Sequence, residues 1–456
     1  MASRAIRFLV VMLGSGLVLL ACSLTGRTSS PLDDQIGTSV AGTVTAARAA
    51  GGQATATPVV ERTAAPTPGP ATDSSAAPRI VFTDGDRNLW ADAGSGPSVQ
   101  LVDSMDVDTF RLSPDGRQVV YLRSVDFSEY SLWVVQTDGR GRRELISSAQ
   151  LDSMTSAPEA LGALPYRMEW IDAGNTLAFN TSLRFDGPGL VLQDDLWLLD
   201  IAGGAVEQLL APGSGGQFYY SPDGAQIALV RPDSISLIDA GGGNRRDSVL
   251  TYEPVLTYSE YAFYAEPAWA PDSSYLRVVI PPPAQLDEPT PPSDLWQIPA
   301  DGSAATRLTR LTPAPLVLPV LSPDGSRLAY LKRMGETAEN RYELRILEID
   351  ADVDSVYVSG GVSLGAWSPD SMGLAIYDNG ASNLLVGQVG SAPLTVSDSQ
   401  FPRGIRWLDA ENFVFFTLSD AGWDLHQGSS AGGSRVLEGI PNGSAENYLP
   451  QVDVRS

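Results

Sequence analysis

Few residues of this chain could do chemistry, and their scarcity narrows the field. Among 456 residues there are one Cys (Cys22), one His (His426) and one Lys (Lys332). One Cys excludes an intramolecular disulfide and any Cys cluster for zinc or iron–sulfur; one His excludes a multi-histidine metal site. His426 is the only imidazole available as a general base. It lies in Trp423–Gln427 (WDLHQ), aligned with Trp197 of DDLWLL and Trp296 of SDLWQI, so it occupies a strand position that elsewhere holds a structural aromatic. Gly428–Gly432 (GSSAG) matches G-x-S-x-G, but a nucleophile elbow needs a helix after the turn, and a strand-like run follows here. Lys332 is a weak candidate at a strand–loop junction. Asp350, Asp352 and Asp354 resemble the opening of a calcium loop, but Ser355 and Gly361 stand where an EF-hand needs Gly and Glu. No catalytic residue, no metal ligand and no cofactor is therefore expected, with weak surface calcium as the one alternative. The chain reads as a non-enzyme.

The single Cys has a better use. Arg4 and Arg7 precede an apolar run from Phe8 to Leu20, too short to span a bilayer comfortably and of the size of a signal-peptide core. It ends in Leu19-Leu20-Ala21-Cys22, which resembles the bacterial lipobox, so residues 1–22 are expected to be a lipoprotein signal peptide with Cys22 as the site of lipidation. Residues 23–78 are rich in Ser, Thr, Ala, Gly and Pro. Such a segment cannot bury enough apolar area to offset its ordering entropy, and it reads as a disordered tether. The implied location is extracytoplasmic, anchored to the bacterial membrane or envelope by lipid alone.

The elements that position everything else come from a repeat. The marks are LSPDG at Leu112, YSPDG at Tyr220, WAPDS at Trp269, LSPDG at Leu321 and WSPDS at Trp367, with degenerate copies at Trp170 (WIDAG) and Trp407 (WLDAE). Successive marks are 58, 50, 49, 52, 46 and 40 residues apart. Each is followed by short strand-like runs such as QIALVR and SISLID, separated by Gly- or Asp-rich turns, which gives four strands per unit. That period and strand count predict an all-β fold, a β-propeller over residues 79–456. In the turn, Pro presets φ, Asp accepts from backbone amides and Gly tolerates φ > 0. Seven full units leave three outer strands at the front (residues 79–103) and one inner strand at the back (449–454), predicting an eighth blade made from both ends. The alternative is seven blades with a stray hairpin.

The pattern SPDG-x-(I/L/V)-A-(F/Y) followed by L-W-x-x-D resembles the TolB-type, WD40-like (PD40) propeller repeats. The resemblance implies the fold, and a family that includes periplasmic scaffolds, bacterial lipoproteins and propellers attached to peptidases.

Function must then sit on the propeller. Residues 79–456 hold 25 basic and 50 acidic residues, which argues against nucleic acid as a partner. The long insertions fall in loops that open on one face. The crossover 247–266 carries Tyr252, Tyr258, Tyr261, Phe263 and Tyr264 with Glu260 and Glu266. Tyr supplies large contact area at low entropic cost, so these seven residues are the candidate binding face, unless the rings pack down on the blade beneath. The expected function is non-catalytic binding or scaffolding by a monomer, with a protein as partner; the alternative is a glycan-binding or hydrolytic propeller of the cell envelope.

Overall fold

The S-P-D-G motif decides where strands reverse. Ser113, Ser221 and Ser322 each donate the hydroxyl to the carboxylate two residues on (Asp115, Asp223, Asp324) at 2.6 Å. Each carboxylate also accepts the amide two residues further along, as from Arg117, Ala225 and Ser326 at 2.9–3.0 Å. The turn is thus held by its own side chains, through bonds that span only a few residues.

The computed structural model describes residues 79–455 apart from 93, 95, 126–128, 156, 187–190, 256–261, 284–290, 336–340, 398–400 and 445–447. Its strands form eight antiparallel sheets. Blade 1 is residues 107–146, blade 2 is 162–210, blade 3 is 217–251 and blade 4 is 268–311. Blade 5 is 320–360, blade 6 is 362–397 and blade 7 is 403–441. In each, four strands are paired in chain order; blade 2 adds the short strand Val191–Leu192, and a capped helix, Ser148–Ser153, precedes it. Blade 8 takes Ile80–Thr83, Leu89–Asp92 and Val99–Val102 from the front and Val452–Val454 from the back. The fold is an eight-bladed β-propeller.

Closure follows the expected pairing of the two ends. Ile80, Val81 and Phe82 face Val454, Asp453 and Val452 in antiparallel register. The amide of Thr83 extends the ladder to Gln451, and that of Arg455 to Arg79. Beside this seam Gly443 crosses directly over Gly85; a Cβ on either would fall within 2.0–2.6 Å of main-chain atoms, so neither position tolerates a side chain.

Eight apolar clusters hold the ring, one at each seam between neighbouring blades. The middle strands supply most of them, as in blade 1, where Val119–Leu122 are all buried. Polar lacing reinforces the seams on the S-P-D-G face. Trp269, Trp367 and Trp407 donate their indole N–H to the carbonyls of Tyr219, Val320 and Ala366 in the preceding blade at 3.0–3.1 Å. Ser273 and Ser371 stand where other copies have Gly, with φ of 59° and 62°. Their hydroxyls accept the amides of Asp223 and Asp324 from the preceding turn.

Candidate functional site

The eight innermost strands wall the central channel, and one position on each repeats at the same height. It is the residue before the Trp, Tyr or Leu of the turn motif: Arg111, Glu169, Tyr219, Ala268, Val320, Ala366 and Arg406, joined by Asp453 on the closing strand. Seven of these face register-equivalent residues of their second strands or, for Asp453, Val81 of the first. From blade 7 through 8, 1 and 2 the ring reads Arg406, Asp453, Arg111, Glu169, and blade 3 adds Tyr219. Blades 4 to 6 contribute only Ala268, Val320 and Ala366.

The charged arc is laced forward around the channel. Asp453 accepts the amide of Leu112 at 2.8 Å; Arg111 donates to the carbonyl of Met168 at 3.3 Å and to that of Phe110 at 2.8 Å. Arg406 is exposed, and among the described residues it donates to the carbonyl of Ile405, at 3.0 Å. Burial depresses the Arg111 guanidinium, opposed by Asp453 and reinforced by the like charges of Arg406 and Arg167. Burial raises the Asp453 carboxyl, opposed by Arg111 and Arg406. The strands that carry Arg406, Asp453 and Arg111 are neighbours around the ring. One step towards the opposite face, Arg167 pairs with Glu169 at 3.1 Å and lies over the Tyr219 ring at 4.2 Å.

The face of long loops forms the other end of the channel. Tyr264 donates its hydroxyl to Asp194 at 3.2 Å, linking the crossover into blade 4 with a loop of blade 2. Asp194 is pushed up to about 6, by burial first, with the nearby Arg231 opposing. Exposed Glu266 and Tyr166 stand near each other at the inner wall, where the carboxylate helps burial to raise the phenol.

The residues expected to form a binding face separate into three groups. Tyr264 and Glu266 lie at the channel mouth, Tyr264 half-buried. Phe263 is buried in the cluster between blades 3 and 4, so its ring anchors the crossover and presents no contact surface. Tyr252 packs on the same cluster and donates to the carbonyl of Arg231 at 2.6 Å. Tyr258, Glu260 and Tyr261 lie outside the described residues, as does Cys22. The inner ring itself was missed: its members are scattered along the chain, and the signal is the residue one place ahead of each turn motif.

The remaining chemical candidates have structural surroundings. His426 is buried in blade 7, stacked on Phe415 at 5.0 Å, with Nε2 against the Thr417 hydroxyl at 2.8 Å. Burial depresses its pKa. Gly428–Gly432 runs from the end of one strand into a turn, and the strand Ser434–Pro441 follows. Asp350 pairs with Arg277, and Asp354 with Arg345 and Tyr330. Lys332 is exposed near the end of a strand. Among the described residues, no three His, Cys, Asp or Glu side chains converge as a metal site would require.

No family model and no curated protein matches the chain. Among solved structures it is similar to an oligogalacturonate lyase in complex with manganese, at 16% identity and TM-score 0.44 over 75% of this chain and 82% of that one. It is similar to TolB from Acinetobacter baumannii, at 16% identity and TM-score 0.31 over 61% of this chain and 62% of that one. It is also similar to dipeptidyl peptidase 4 from Porphyromonas gingivalis, at 13% identity and TM-score 0.48 over 72% of this chain and 52% of that one. Its structural neighbours thus include TolB and other PD40-like propellers. The likeness extends to the fold and no further.

Proposed function

We propose that the chain is a non-catalytic binding module, lipid-anchored at Cys22 outside the cytoplasm, which receives a protein partner on the loop face at the mouth of its channel. The observation that carries this reading is the rim of that mouth, where Tyr166 and Glu266 are exposed and Tyr264 is held by Asp194; the channel wall behind it is asymmetric as well. Ionisable side chains follow one another on four consecutive blades, whereas three others offer only Ala and Val. A purely structural wall has no need of half-exposed charges, whose pairing contributes little stability. At the other end of the channel, Tyr264 and Tyr166 bring aromatic rings to the loop-face opening beside Glu266, and aromatic side chains of this kind are enriched in protein contacts. The enclosure of His426 supports the non-catalytic reading, because a substrate could not reach it without opening blade 7. The lipobox-like Leu19–Cys22 supports the anchor.

A photo-crosslinking amino acid placed at Tyr166 or Glu266 of the full chain, in its source cells, tests the reading. A discrete protein adduct is expected from both, and none from the same probe at Val436, exposed on an outer strand of blade 7. Equal adducts from all three, or none at the rim, would overturn it. For the anchor, Cys22→Ser should release the protein from the membrane fraction.

A further inference from the structure

We infer that the S-P-D-G end of the channel binds a small oxyanion carrying an apolar body, with the oxyanion between Arg406 and Arg111 and the body against Ala268, Val320 and Ala366. This deepens the binding reading above and rests on it.

Donor arithmetic comes first. A guanidinium has five N–H groups in a planar fork that matches two oxygens of a carboxylate or phosphate. Among the described residues, the hydrogen bonds of Arg111 use two of them and that of Arg406 one, and all the acceptors are main-chain carbonyls. Both cations therefore keep donors on a wall that solvent reaches. Desolvation raises the value of an ionic bond made there relative to one made on the open surface.

The intervening acid is compatible with this. Asp453 is held by the amide of Leu112, and burial raises its carboxyl pKa above the ordinary value, with Arg111 and Arg406 opposing. Its neutral form would donate to an oxyanion, whereas its charged form would repel one. Glu169, the next acid of the ring, is engaged by Arg167 at 3.1 Å. Across the channel, the three small side chains present an apolar surface; Val320 is 38% exposed. A free inorganic anion would use the first wall alone, and an uncharged apolar compound only the second.

Calorimetry on the full chain distinguishes these cases with 3-phenylpropionate, its neutral amide and inorganic phosphate as probes. The carboxylate is expected to bind, and the amide to bind at least roughly tenfold more weakly, or ~1.4 kcal/mol. Arg406→Gln should weaken carboxylate binding by a similar factor. Arg406 is exposed, so an unchanged melting temperature would show that the loss is not unfolding. Arg111→Gln should do the same. Asp453→Asn, which can still accept the Leu112 amide and carries no charge, should not weaken binding, whereas Val320→Asp should. Equal binding of acid and amide, silence of all probes to about 10 mM, or indifference to Arg406→Gln would overturn the proposal. Phosphate binding as tightly as the carboxylate would overturn its apolar half. Loop-face crosslinking can survive any of these outcomes, so failure here is distinguishable from failure of the binding reading.

Discussion

Trp367 of blade 6 donates its indole N–H to the main-chain carbonyl of Val320 in blade 5, 3.0 Å away. The same bond recurs from Trp269 to Tyr219 and from Trp407 to Ala366. In each case the acceptor belongs to a residue of the channel ring. The motif that turns the chain in one blade therefore also fixes the height of the channel wall in the blade before it.

Trp367→Phe should preserve most of the buried ring area while leaving the Val320 carbonyl without its donor. The expected loss is about 1–2 kcal/mol, the scale of one hydrogen bond with a stranded acceptor. Denaturant unfolding at constant m-value would measure it; an unchanged midpoint would show that water replaces the indole.

Ser371 makes a sharper test, because two effects oppose each other there. Its φ of 62° favours Gly, whereas its hydroxyl accepts the Asp324 amide at 3.0 Å. Ser371→Ala loses the bond and keeps the strain, so it should destabilise by roughly 1–2 kcal/mol. Ser371→Gly loses the same bond but relieves the backbone, so its loss should be smaller. Thermal melts that place Gly below Ala would refute the account.

Truncation after residue 447 tests closure. It removes the ladder to residues 79–83, buried Val452, and Tyr448, whose hydroxyl meets Thr83 at 2.9 Å. At ~1 kcal/mol per net hydrogen bond, with lost packing added, the loss should reach several kcal/mol. A truncated chain with an unchanged melting temperature would mean that the ring holds without its clasp.

The pH dependence has a definite sign at Asp194. Its pKa, about 6 when folded, stands above the ordinary 3.8. Between these values the folded chain keeps a proton that the unfolded chain releases, so this contribution is full below about 3.8 and lost as the pH rises through about 6. Asp194→Asn, which can still accept from Tyr264, should therefore be more stable than the parent at pH 7.5, by no more than about 3 kcal/mol. The difference should fade by about pH 4. A gain that is constant across this range would point to a cause other than titration.

Much of this architecture is legible because its signals are local. Ser113, Asp115 and Gly116 specify a turn within a few residues, and the spacing of such turns counts the blades. Even the clasp is readable, since outer strands without an inner one at the front match an inner strand without followers at the back. The binding residues obey no such local rule. Phe263 and Tyr264 are adjacent aromatics in one loop, yet one enters the core between blades 3 and 4 while the other reaches Asp194. Which way each turns depends on Val255 and on a blade 2 loop, and composition cannot encode that. Arg111, Arg406 and Asp453 become neighbours only once the ring is closed. On a linear chain they are isolated charges beside hydrophobic residues.

The pairing of Arg79 with Arg455 at one end of the clasp sets its mechanical character. The two strands run antiparallel, and their outer ends lie side by side. A force pulling these two points apart would load the ladder at that end and open its bonds one after another, as in a zipper, instead of shearing all of them together. The seams between blades, each backed by a packed cluster, would yield later. Under tension the ring should therefore part first at blade 8, at forces well below those needed to unravel any other blade.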